Sequence, residues 1–76
     1  MRKFKYDMPF KIGDVLRLTE EYRTSFPSIK DQLLTFVDIE ERDTPYDPHD
    51  QLGVLFYDNK TTEFYLDTFY MFEKVL

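Results

Sequence analysis

Leu52-Gly53-Val54-Leu55-Phe56-Tyr57-Asp58-Asn59-Lys60-Thr61-Thr62-Glu63-Phe64-Tyr65-Leu66 reads as two extended runs about a polar turn, and this stretch decides the fold class. Leu52, Val54 and Phe56 alternate with Gly53, Leu55 and Tyr57, and the residue types suit a pleated, half-buried surface. Asp58-Asn59-Lys60 is turn chemistry, and 62–66 is the returning strand. The register follows from the face taken as core. Directly opposed residues share a face, so placing Leu52, Val54 and Phe56 with Phe64 and Leu66 opposes 56 to 64 and 54 to 66. The turn then holds an odd number of residues, three or five, in keeping with the lack of a Gly for a tight primed turn. Gly53 reads as a point of close backbone approach inside the strand.

Working outward, 35–41 alternates with Val37 and Ile39 on one face and Phe36, Asp38 and Glu40 on the other. Leu16 and Leu18 alternate with Arg17 and Thr19, so 14–19 is a first core strand, preceded by a turn at Gly13-Asp14. Residues 1–11 alternate as well, although Pro9 confines any strand there to an edge. Between Glu20 and Leu34 the period of two is lost and Pro27 interrupts, which predicts a long ordered loop with a helical turn after Ser28. Asp67 caps a short helical or 3₁₀ turn through Met71, and Phe72 to Val75 makes a final strand. The expected fold is mainly β: a five-stranded small barrel with a long first loop and a short 3₁₀ turn before the last strand. Closing the sheet would remove its exposed edges.

The ends of this pattern resemble a known group. Phe10-Lys11-Ile12-Gly13-Asp14-Val15-Leu16-Arg17-Leu18-Thr19 is similar to the opening of SH3-like and KOW-type small barrels. Val54-Leu55-Phe56-Tyr57-Asp58, Glu63-Phe64-Tyr65-Leu66 and Phe72-Glu73-Lys74-Val75 resemble their last hairpin, 3₁₀ turn and closing strand. The resemblance implies an SH3-like barrel over 10–76 behind a basic N-terminal extension, 1–9. KOW-type barrels usually carry a Gly before the second core strand, where this chain has Leu33-Leu34-Thr35, and their basic surface has no counterpart in the C-terminal half. The small, acidic, aromatic-rich composition also resembles phage-encoded accessory proteins.

Composition bounds the rest. Seventy-six residues with 42% hydrophobic and 18% aromatic content can fill one small core, with eight Phe and six Tyr as its main volume. No Cys is present, which points to a reducing cytoplasm and excludes thiolate chemistry. Apolar runs such as Val54–Tyr57 fall far short of the roughly 20 residues of a membrane span, and the N-terminus lacks the apolar run of a signal peptide. Net charge is -5, split unevenly: seven basic and four acidic groups lie in 1–30, against three and eleven in 31–76.

Catalysis is not expected. His49 is the single histidine, Ser25 and Ser28 sit in no nucleophile motif, and no phosphate-cradling Gly-rich loop occurs. Asp43, Asp47, His49 and Asp50 lack the spacing that wraps calcium, so neither metal nor cofactor is expected. Two surfaces stand as candidates. With Leu52, Val54 and Phe56 inward, Phe36, Leu55, Tyr57 and Tyr65 point outward as an aromatic and apolar face of the kind that marks interfaces. Phe4, Tyr6 and Phe10 of the N-terminal segment are the residues that would cover such a face from within the chain. Asp43, Tyr46, Asp47 and Asp50 form an acidic loop suited to a basic protein surface.

The expected role is a non-enzymatic protein-interaction module, an adaptor or inhibitor of a larger cytoplasmic machine. The alternatives are an acidic mimic of nucleic acid that inhibits a DNA- or RNA-binding protein, and weak nucleic-acid binding through Arg2-Lys3-Phe4-Lys5-Tyr6. The net negative charge disfavours the last. No membrane partner is expected, and the sequence leaves the oligomeric state open.

Overall fold

The computed structural model of the chain describes residues 6–42 and 51–75. It is mainly β. Strands β1 (Val15–Leu18), β2 (Leu34–Glu41), β3 (Gln51–Tyr57), β4 (Lys60–Tyr65) and β5 (Phe72–Lys74) form one antiparallel sheet in the order β4-β3-β2-β1-β5. Two 3₁₀ segments complete it: η1 (Glu20–Tyr22) in the long first loop, and η2 (Leu66–Met71) between β4 and β5, kinked at Thr68. No ladder joins β4 to β5 among the described residues, so the sheet is not closed into a barrel. Residues 6–11 form no strand, and residues 28–31 form turns rather than helix. No described helix is long and apolar enough to cross a membrane.

β1 forms as its alternation dictates. Leu16 and Leu18 are fully buried, while Arg17 is exposed and pairs with Glu73 across β5 at 2.9 Å. The turn ahead of β1 uses Gly13 at φ 101°, a backbone region glycine enters without a Cβ penalty. The Asp14 carboxylate accepts the Lys11 backbone N–H at 3.0 Å; the Gly13 N–H donates to the Phe36 carbonyl of β2 at 2.7 Å, and the Phe36 N–H donates to the Asp14 carbonyl at 2.9 Å.

β2 departs from simple alternation. Phe36 opposes Leu55 and Asp38 opposes Val54, leaving Val37 as an extra residue in a β-bulge. The bulge shifts the phase, so Phe36 and Ile39 are both fully buried although three residues apart. The Asp38 carboxylate accepts the N–H of Ile39 at 2.8 Å beside it.

The β3–β4 hairpin differs from the expected register. Tyr57 pairs with Lys60, so the turn is the two-residue Asp58-Asn59, with φ of 48° and 59°. Positive φ at both central positions is the primed geometry that matches strand twist, and Asp and Asn reach it without Gly because their short polar side chains tolerate that region. The whole ladder is thereby reset: Phe56 opposes Thr61, Val54 opposes Glu63, and Gly53 opposes Phe64. A Cβ on Gly53 would come within 2.7 Å of Phe64 Cζ, so only glycine lets that ring lie across the strand.

Phe64 seeds the core. Its ring centroid lies 5.8 Å from that of Phe36 and 4.9 Å from that of Phe72. Around them pack Phe10, Leu16, Leu18, Ile29, Leu34, Ile39, Leu55 and Leu66, with Tyr6, Met8, Tyr22, Tyr57, Phe69 and Met71 partly buried against them. The first loop is fastened to η2 by Tyr22 beside Tyr70, at 5.9 Å between centroids. Partial burial, then Glu21 and Tyr70, hold the Tyr22 hydroxyl above the ordinary tyrosine pKa.

Candidate functional site

The reset hairpin exchanges the two faces assigned from the sequence. Leu55 and Phe36 are fully buried, because the two-residue turn and the bulge bring both onto the inner face opposite each other. Tyr57 is on the same inner face and packs against the core. Of the four residues expected outside, Tyr65 alone stands on the outer face, opposite Leu52, with the Arg42 guanidinium 5.8 Å from its ring centroid. Phe56 and Val54, expected inside, are instead exposed and half-buried on the outer face. Leu52 shares their side of β3 and is buried, but lies outside the contiguous core cluster. Phe64 and Leu66 are inside as expected.

An outward apolar patch therefore exists with different members. Its spine is Val54 and Phe56 on β3, the latter 43% exposed, joined by Val37, which the bulge leaves 41% exposed. Carboxylates bracket it on both sides. Asp38 and Glu63 lie opposite Val54 from β2 and β4, and Glu40 lies opposite Leu52. All three are exposed. Burying such a stripe is favourable at about 25 cal/mol per Å², while the flanking carboxylates favour a partner that brings cations to the rim.

The acidic loop residues Asp43, Tyr46, Asp47 and Asp50, together with His49, lie outside the described residues, as do Arg2, Lys3, Phe4 and Lys5. Tyr6, Met8 and Phe10 pack on the inner core, away from the outer stripe in the sheet's layering.

Hollows lined by described residues mark the surface. A groove of about 350 Å³ runs beside β4 and is lined by Phe26, Ile29, Phe64, Tyr65, Met71 and Phe72, with Arg42 and Glu63 also on its wall. A smaller cleft of about 200 Å³ gathers Arg17, Arg23 and Lys30. Its cations are largely engaged: Arg17 is paired with Glu73, and Arg23 Nε donates to the Leu18 carbonyl at 3.3 Å. Among the described residues no three His, Cys, Asp or Glu side chains are grouped to hold a metal ion.

Sequence reasoning missed Val37 as a surface residue because the β2 bulge breaks the alternation, and Phe56 and Val54 because both faces of β3 are apolar. The signal that could have found them is Gly53, whose missing side chain makes room for an aromatic ring on the inner face. No family model matches the chain, and neither a curated protein nor a solved structure matches it.

Proposed function

We propose that the chain is a non-enzymatic protein-interaction module that docks a basic partner surface on the outer face of its sheet. The observation that carries this reading is the stripe of Val37, Val54 and Phe56 set between Asp38, Glu40 and Glu63. Apolar contact at the centre supplies affinity, and the carboxylates at the rim supply steering and orientation. The acidic residues Asp43, Asp47 and Asp50 extend the same negative charge along the sequence. An SH3-like architecture fits the element order, in which a long first loop, a final hairpin, a 3₁₀ turn and a short closing strand follow one another. An adaptor or inhibitor acting on a larger assembly in a reducing cytoplasm is the role that suits a small module without cysteine. A mimic of nucleic acid would present carboxylates alone; the apolar spine between them favours the protein reading.

Capture from host lysate on immobilised wild type, Phe56→Ala and an Asp38→Asn/Glu63→Gln double variant tests this. A protein held by wild type in raised salt and lost from Phe56→Ala is expected, with the double variant slowing association. Retention by Phe56→Ala combined with loss in salt would replace the reading with the acidic mimic.

A further inference from the structure

The open seam of the sheet, between edge strands β4 and β5, has the chemistry of a strand-accepting groove. A two-residue turn closed by Tyr57 and Lys60 makes that pair doubly hydrogen-bonded, and the pattern then repeats at Leu55–Thr62 and Gly53–Phe64. Thr61 and Glu63 consequently turn their backbone N–H and C=O away from β3. β4 is the edge of the sheet, and no hydrogen bond reaches these groups among the described residues. Such an edge is a template for one more strand. Beside it lies the 350 Å³ groove, whose floor is closed by Phe64 against Phe72 and whose far wall carries Ile29 and Met71. That volume is at the lower end of the range for ligand sites.

We propose that this seam binds an extended segment of another protein by strand addition to β4, with an apolar–basic–apolar pattern. The pattern follows from the pleat. A residue opposite Glu63 shares its outer face and meets an exposed carboxylate, so a cation fits there. Its two neighbours share the inner face of Thr62 and Phe64 and drop apolar side chains into the groove. A second copy of this chain is a poor occupant, since antiparallel pairing of two β4 strands about Glu63 sets the two Glu63 carboxylates together in molecules of net charge -5. The inference shares the Glu63 carboxylate with the outer stripe and otherwise rests on the open edge of β4.

The probe is an acetylated and amidated seven-residue peptide of alternating Val and Lys, beginning and ending on Val. Its control is the same peptide N-methylated at the lysine amides, which keeps charge and composition but removes the donors facing β4. Amide hydrogen exchange and NMR titration of the whole chain are the readouts. Exchange at Thr61 and Glu63 is expected to slow at least tenfold on saturation, and the methylated peptide to bind at least tenfold more weakly. Thr61→Pro, a substitution an edge tolerates where the N–H faces outward, should match that loss. Where Thr61→Pro fails to fold, the methylated peptide decides alone. Equal binding of the two peptides, or unchanged exchange at Thr61 and Glu63 at millimolar peptide, overturns the proposal. Shifts confined to Val54 and Phe56 overturn it too, by moving the peptide to the outer face.

Discussion

β1 and β3 are both strands of this sheet, yet they divide their residues differently. β1 sets Leu16 and Leu18 against Arg17, so burial and charge agree on one orientation. β3 carries apolar residues on both faces: Leu55 inside at full burial, Phe56 outside at 43% exposure. Hydrophobicity alone therefore leaves β3 undetermined, and two local devices decide it. One is the Asp58-Asn59 turn, which fixes the pairing; the other is Gly53, which admits Phe64 to one face only. A strand apolar on both faces is useful where one face builds the core and the other meets a partner, and β3 stands between β2 and β4 where both can happen.

The sharpest way to break this contrast is truncation of the inner face. Leu55→Ala should cost about 2–5 kcal/mol, a large part of the stability of so small a domain, measured by denaturant unfolding. Gly53→Ala tests the second device. A methyl group there collides with the Phe64 ring, so a loss of about 1–3 kcal/mol is expected from overpacking, with altered near-ultraviolet signals from the aromatic cluster. The outer face should yield least: Phe56→Ala should change stability by less than about 1 kcal/mol while removing partner capture. A Phe56→Ala loss as large as that of Leu55→Ala would mean the faces are exchanged again.

Most of the strands are legible in the sequence because their period of two is uninterrupted, as in Leu16-Arg17-Leu18. The strands follow from such patterns, the long first loop from the loss of that period after Glu20, and the 3₁₀ turn from the polar Asp67 ahead of the last apolar run. What escaped has physical causes. Reading the hairpin turn as longer than two residues followed from placing Val54 and Phe56 in the core, with the lack of Gly in agreement, whereas Asp58 and Asn59 take positive φ themselves. The bulge at Val37 leaves no compositional mark, and it puts Phe36 and Ile39 on one inner face where simple alternation would set them on opposite faces. The idea of an outward apolar face survives with other residues in it, Val37, Val54 and Phe56 in place of Phe36, Leu55 and Tyr57.

The register of the β3–β4 hairpin is the claim on which both faces depend, and Hα–Hα nuclear Overhauser contacts read it directly. Residues in non-hydrogen-bonded antiparallel pairs bring their Cα atoms to about 4.5 Å, close enough for a strong contact. The paired register predicts strong contacts between Phe56 and Thr61 and between Val54 and Glu63. Contacts between Phe56 and Phe64 or between Val54 and Leu66 would contradict it, returning Val54 and Phe56 to the core and removing the outer stripe.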